Sequence, residues 1–343
     1  MVPRRLRRRG RLAATAACTL LLLIGIPGSV RARSKVKRGE LHSFDELMKV
    51  MEKSSLTYLL DIDDNLPAPA IDKPRVLSAN QLLTESDGHL TLTEASISKE
   101  ANEVLKTAEE AFENEKFDTA LELYKKVQEI APDYSHLLTL VGDVYYRQGE
   151  YGKARDCFRQ AIDRNFADYD AHWFLADAAW KVDDKSEAMQ ELTIAHILNV
   201  NHETLKKGLL TRRDSIRRPW KAWDYAPRYT LSRDGKQVKV TAQEDWLGYA
   251  VAKAIWIYEP GYAEKIAGEE RRENVISFLE EKEALLGALG TNKKLKQVER
   301  IIDDGYVDEL IYYEIVARQA PEALVLLPRD TFMRLVHYVD TYH

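Results

Sequence analysis

The feature that most constrains this chain is a pattern that returns at one fixed interval, three times over, between Ala101 and His202. Aligned as Ala101–Tyr134, Ser135–Asp168 and Tyr169–His202, the units place small residues at Ala108, Gly142 and Ala176, and again at Ala120, Ala154 and Ala188. Large side chains recur at Phe117 and Tyr151, and at Tyr124, Phe158 and Leu192, while Val127, Ala161 and Ala195 form a further column. Small residues let two helix backbones approach and large ones fill the space beside them, so each unit reads as a pair of packed helices. Turn signals divide the pairs at Asn114-Glu115-Lys116, Gln148-Gly149-Glu150 and Asp183-Asp184-Lys185. A single pair cannot bury its apolar face alone, so the three units are expected to stack.

Taken together, these columns resemble the tetratricopeptide repeat family, over 102 of 343 residues. The chain departs from that pattern where Leu138 or His172 stands at a frequent Trp position, where Phe166 and Val200 replace the closing Pro, and at Lys185 in place of an aromatic. The resemblance implies a superhelix whose first helices line a concave groove. On the matching positions stand Glu109, Asp143 and Asp177, one turn from Phe112, Tyr146 and Trp180, with Trp173, Arg147 and Lys181 beside them. An acidic row along an aromatic row fits a protein or peptide segment carrying Lys or Arg with apolar anchors, through charge pairing and cation–π contact. The carboxylate clamp known in the family needs Lys and Asn on this face. Acids occupy much of it here, which argues against a heat-shock-protein tail as ligand.

Before the repeats, six arginines between Arg4 and Arg11 precede an apolar run from Leu12 to Ile26, then Pro27-Gly28 and the small-residue site Val30-Arg31-Ala32. That run is shorter than the roughly 20 residues of a membrane-spanning helix, and it reads as a cleaved leader over residues 1–32. The expected location is therefore outside the cytoplasm, in the periplasm or envelope of a bacterial-type cell. Removing the leader takes seven Arg and no acid from a chain with 50 Lys and Arg and 55 Asp and Glu, leaving a net charge of −12. Such a field disfavours nucleic acid. Cys18 falls in the leader, so Cys157 is left alone and no intramolecular disulfide is expected.

Residues 33–98 read as one helix, Phe44–Leu60, begun by a Ser43/Glu46 capping box, then a Pro-containing linker and a short hairpin about Asp87-Gly88. Asp61-Ile62-Asp63-Asp64-Asn65 has the alternating oxygens of a calcium loop. Leu66 and Pro67 follow where such a loop needs its turning Gly, so a solvated acidic loop is expected.

After the repeats, Glu203–Ile216 reads as a capping helix that closes residues 99–216. Its stretch is basic, and Arg212, Arg213, Arg217 and Arg218 offer either a face docked on the acidic repeats or a contact to membrane or cell-wall polyanions. Residues 217–343 read as a helical domain with one hairpin at Asp234-Gly235. Its first helix, opened by a Thr241/Glu244 box, is apolar nearly all round, with Lys253 expected to extend its ammonium to the surface. A single helix is expected over Glu264–Leu286, with its Glu280-Glu281 pair solvated. The fold class is thus all-α: a helix-pair superhelix followed by a helical C-terminal domain. No phosphate loop, dinucleotide fingerprint, nucleophile-elbow serine or zinc-protease motif is present, and no cofactor, metal or catalytic residue is expected. The alternative is an enzymatic or small-ligand C-terminal domain served by the repeats.

Overall fold

A computed structural model describes residues 41–67, 76–78, 80–86, 89–221, 225–268, 271, 276–292 and 295–343. The leader, the basic segment to Gly39, Pro69 and Pro74 of the linker, the Asp87-Gly88 turn and Trp223 lie outside them. The described part begins with α1 (Phe44–Glu52), whose Ser43 N–H donates to the Glu46 carboxylate at 2.8 Å, the reach-back half of a capping box. Then come β1 (Thr57–Ile62) and the antiparallel pair β2 (Gln81–Ser86) and β3 (His89–Glu94).

The repeats follow as α2 (Lys99–Glu113) with α3 (Phe117–Ile130), α4 (Leu137–Arg147) with α5 (Tyr151–Arg164), and α6 (Tyr169–Lys181) with α7 (Lys185–Leu198). The small and large columns meet as their sizes require. Ala108, Ala120, Ala154, Ala176 and Ala188 are fully buried with Tyr124, Phe158 and Leu192, and a Cβ on Gly142 would collide with the Phe158 ring. Each turn between paired helices has the same backbone. Glu115, Gly149 and Asp183 take positive φ values of 60°, 79° and 62°, and the next N–H donates back to a helical carbonyl: Lys116 to Ala111, Glu150 to Tyr145, Asp184 to Ala179, at 2.9–3.0 Å. This bond satisfies an orphan carbonyl at the helix end and turns the chain sharply.

The same turn occurs once more, one repeat length beyond Asp183. α8 (Glu203–Ser215) ends at Arg217, φ 59°, with the Arg218 N–H bonded to the Arg213 carbonyl at 2.9 Å. The capping helix is therefore the first helix of a fourth unit that lacks its second. Asn165 and Asn199, likewise one repeat apart and buried at the ends of α5 and α7, tie the linker to the stack. The Asn165 amide donates to the Gln81 carbonyl at 2.6 Å, and Asn199 both donates to and accepts from the Leu77 backbone at 3.1 Å.

The remaining chain forms β4 (Tyr229–Asp234), β5 (Gln237–Ala242), a short turn of 3-10 helix at Glu244–Trp246, α9 (Leu247–Tyr258), α10 (Tyr262–Ala267), α11 (Phe278–Thr291) and α12 (Lys296–Asp303). α13 (Val307–Ile311) passes through a π-helical turn into α14 (Ala317–Gln319), and α15 (Glu322–Val325) and α16 (Arg329–Tyr342) complete the fold. Three elements differ from expectation. The helix expected over Phe44–Leu60 ends at Glu52, because residues 57–62 leave it to pair in parallel with β5, giving a three-stranded sheet ordered β1-β5-β4. Thr241 belongs to β5, and the helix start is capped instead by Asp64, whose carboxylate accepts the Glu244 N–H at 3.2 Å. The helix expected over Glu264–Leu286 stops at Gly268, φ 75°, and a new one begins behind the Ser277 cap. The acidic stretch expected as a solvated loop begins inside β1, where Asp61 pairs with Lys239 at 3.4 Å, and turns after it, where Asp63 accepts the Asn65 N–H at 3.0 Å.

α9 and α11 cross at Gly248 and Gly287, where a Cβ on either would strike the other's carbonyl. Their joint core extends through α1, β5, α13 and α16 to α7, most of whose residues from Ala188 to Leu198 are buried. The strained turns give a test of opposite signs. Replacing Glu115, a non-glycine at positive φ, by Gly should stabilise the protein by about 1 kcal/mol, and Gly149→Ala should destabilise it by a similar amount. Chemical denaturation of the two variants beside the parent checks this.

Candidate partner-binding groove

The first helices α2, α4 and α6 set Glu109, Asp143 and Asp177 in one column, because the members stand at the repeat interval and the turns recur. Glu109 is exposed, while Asp143 and Asp177 are half-buried. All three carboxyls are pushed above the usual range by burial in the groove. Glu113 adds to the effect at Glu109, Arg147 opposes it at Asp143 while Asp177 adds, and Arg212 opposes it at Asp177. Among the described residues neither Glu109 nor Asp143 has an ion pair, whereas Asp177 accepts a hydrogen bond from the Arg212 guanidinium of α8.

The aromatic row is also in place, and two of its members carry a cation from a later first helix. Arg147 lies 5.6 Å from the Phe112 ring centre and Arg212 lies 5.6 Å from that of Trp180. Tyr146 packs on Tyr151 at 5.4 Å, Trp173 meets His202 edge-on at 5.5 Å, and Lys181 is exposed.

A fourth acid belongs to this row. Asp170, in the first turn of α6, has its carboxyl raised to about 6 by burial, with Asp168 and Asp143 adding and His136 opposing. Periodicity does not reveal it, because the equivalent positions are His136 and Asn102. Beneath it the fully buried Asp168 accepts from Thr139 Oγ1 at 2.7 Å, from His136 Nδ1 at 2.8 Å and, as the α6 cap, from the Ala171 N–H at 3.1 Å. Burial opposes the charge on His136, but Asp168, Asp170 and Glu109 outweigh it and raise its pKa.

Two family profiles described as tetratricopeptide repeat match residues 105–165 and 139–195. Residues 105–195 are tetratricopeptide repeats. Solved structures resemble part of the chain at low identity. The Sgt2 tetratricopeptide domain from Aspergillus fumigatus is 20% identical, covering 38% of this chain and 93% of that one, with a TM-score of 0.34. The Yersinia enterocolitica type III secretion translocator chaperone SycD is 15% identical over 35% of this chain and 93% of that one, TM-score 0.33. The MamA protein is 15% identical over 63% of this chain and 94% of that one, TM-score 0.31. No curated protein sequence matches significantly.

The tetratricopeptide stack meets the expected basic stretch unevenly. Arg212 turns into the groove; Arg213 is buried, 3.3 Å from Asp340 and over Trp220; Arg217 and Arg218 are exposed. The four arginines therefore do not share one outward face, and only two of them are open to a polyanion.

In the C-terminal half the charged side chains depart from expectation. Lys253 does not reach the surface: it is 8% exposed, with its ammonium between the Glu280 and Glu281 carboxylates, 2.8 Å from the latter. Those two glutamates are buried rather than solvated, because α11 carries them against α9. Arg271 binds Glu280 at 2.9 Å and the Tyr249 hydroxyl donates to Glu281. Burial opposes the charge on Lys253, but the two carboxylates hold it well above the usual lysine range. Glu283, fully buried, accepts from Trp256 Nε1 at 2.5 Å, from the His42 N–H at 2.7 Å and from the Tyr262 hydroxyl at 2.9 Å. Periodicity carries no sign of this cluster, since consecutive charges on a helix ordinarily face water.

Two clefts flank it. One of about 250 Å³ is bordered by His42, Lys53, Glu259, Tyr262 and Lys265, the other of about 210 Å³ by Leu41, Glu46, Leu286, Leu289 and Ile302. Neither is lined by Glu280, Glu281 or Glu283.

Two outcomes check the electrostatics. Lys253→Met leaves the buried Glu281 without its cation and Glu280 with Arg271 alone, and should cost about 3–5 kcal/mol in equilibrium unfolding. Asp170 holds its proton to about pH 6 in the folded chain, against 3.8 ordinarily. The folded state thus binds more protons in that window, and stability falls as pH rises through it. Asp170→Asn should therefore stabilise by up to about 3 kcal/mol at pH 7.5, with the gain gone below about pH 4.

Proposed function

We propose that this protein is a non-enzymatic interaction scaffold of a bacterial cell envelope, exported by its leader, that holds a partner segment along the concave face of its repeats. The carrying observation is the column of Glu109 and Asp143, unpaired among the described residues and with raised carboxyl pKa values, beside Phe112 and Tyr146. Carboxylates that are partly desolvated and unpaired gain more from an incoming cation than solvated ones do. Tyr146 supplies apolar contact and cation–π surface beside Asp143, and Phe112, already under Arg147, supplies apolar contact beside Glu109. The complementary partner is an extended or helical protein segment with Lys or Arg spaced along it and apolar anchors between.

The first tetratricopeptide domain of Spaghetti (RPAP3) is solved with the HSP90 peptide SRMEEVD, which carries two glutamates and an aspartate. The groove described above has the opposite need. Acids line it, so the partner proposed for it is basic rather than an acidic tail. The C-terminal half is read as structural support, because its buried Glu280, Glu281 and Glu283 are bonded to Lys253, Arg271, Tyr249, Trp256 and Tyr262, Glu309 and Glu314 pair with Arg334 and Arg318, and none of the five borders either cleft.

The test is affinity capture from envelope extract with the mature chain and with Asp143→Lys/Asp177→Lys. A protein held by the parent should be lost from the double variant, and its capture should weaken as pH falls from 7.5 to 5.5 while Asp170 protonates. Capture that is indifferent to both changes would overturn the proposal.

A further inference from the structure

The three-stranded sheet has two unlike edges. β4, on one side, ends in Ser232-Arg233-Asp234, and a charged edge of this kind resists pairing with another strand. β1, on the other, reads Thr-Tyr-Leu-Leu-Asp-Ile, and Leu59, Leu60 and Ile62 are 45%, 37% and 53% exposed. Three of the eight exposed large hydrophobic residues in the described chain thus fall on one six-residue edge strand. An apolar, unprotected edge is what a monomeric sheet avoids.

The backbone fixes which groups are open. The Thr57 N–H donates to the Lys236 carbonyl at 2.8 Å and the Asp63 N–H to the Ala242 carbonyl at 3.0 Å, so the odd residues of β1 face β5. The even residues Tyr58, Leu60 and Ile62 aim their N–H and C=O groups away from it. Among the described residues no hydrogen bond reaches those groups.

We infer that β1 pairs antiparallel with β1 of a second copy about a two-fold axis through Leu60, joining the two sheets into one of six strands. The sequence is self-complementary in that register. An antiparallel pair needs outward groups to face outward groups, which forces even residues opposite even residues. Centring on Leu60 gives the longest such overlap, with Leu60 on Leu60 and Tyr58 on Ile62 of the partner subunit. All three are apolar or aromatic, a favourable class of cross-strand pair. On the opposite face Asp61 already carries Lys239, so the two Asp61 side chains approach the pairing neutralised rather than as bare like charges. The arrangement is isologous, as a closed dimer requires.

The measurement is molar mass by light scattering across a dilution series, on the full-length mature chain. A dimer is expected that dissociates on dilution, with a dissociation constant raised about tenfold or more by Leu60→Lys, which sets two ammonium groups opposite each other. Leu60 is exposed, so that variant keeps its fold. Independently, in a Cys157→Ser background, Leu60→Cys should form a disulfide-linked dimer on mild oxidation, because facing hydrogen-bonded residues stand about 5.5 Å apart at Cα, within disulfide reach. Leu59→Cys, facing Asp61 of the partner subunit, should not. A monomer at every concentration overturns the inference, whether the edge then takes another protein's strand or none. So does a dimer that ignores Leu60→Lys and fails to cross-link through position 60.

Discussion

The fold depends on one helix that belongs to two cores at once. α7 presents Ala188, Leu192 and Ala195, the small and large columns of the third repeat, and is buried on its other sides as well, at Thr193, Ile194, Ile197 and Leu198. α15 and α16 cover it there. Thr193 donates to Asp340, and Phe166 meets Phe332 edge-on at 5.1 Å with Arg329 above it. A second helix of an open superhelix ordinarily keeps a polar back. Here that back is apolar, so the stack and the C-terminal half share one continuous core, and α8 is gripped between them by Arg212 on one side and Arg213 on the other.

The core around α11 and the groove treat acid in opposite ways. Around α11 each carboxylate is matched by a donor inside the core: Lys253 and Arg271 for Glu280, Lys253 and Tyr249 for Glu281, Trp256 and Tyr262 for Glu283. Desolvation there is offset internally, and removing one donor is costly because the acid stays behind. In the groove, Glu109 and Asp143 meet a partial desolvation without an ion pair among the described residues. Uncompensated charge on a concave face destabilises the free protein and strengthens the complex with a cation, which is the asymmetry a binding surface needs.

How far the sequence foretells this depends on whether a signal is local or tertiary. The repeats are legible because helix packing within a unit is local, so that Ala108, Gly142 and Ala176 have to recur wherever the backbones cross. The alignment of Glu109, Asp143 and Asp177 in one column is legible for the same reason. Three things are not. β1 reads as helix because its partner, β5, lies beyond the whole repeat stack in the chain, and its exposed Leu59, Leu60 and Ile62 follow no clean alternation. Glu280 and Glu281 look solvated until Lys253 is placed beside them by the α9–α11 crossing, which Gly248 and Gly287 permit and which no periodicity announces. The fourth-unit character of α8 is hidden because its side chains abandon the columns, with Leu210 at the small-residue position, while its closing turn keeps the repeat phase at Arg217.

That retained phase explains why the groove closes where it does. The α8 first helix places Arg212 where the face of α6 lies open, and the guanidinium satisfies Asp177 and covers Trp180 in one contact. A basic side chain from within the chain thus already makes, at the third position, the pair of contacts proposed for a partner, and Arg147 already lies over Phe112 at the first. Asp143 and Tyr146 lie next to that closed end, and Asp143 is more deeply desolvated than Glu109, the column's other acid without an ion pair among the described residues. In the complex proposed above, a cation of the partner gains more at Asp143 than at Glu109, while Arg212 blocks the register beyond Asp177. On that proposal the chain's own arginine limits the partner's footprint, and the two repeats before it set its length.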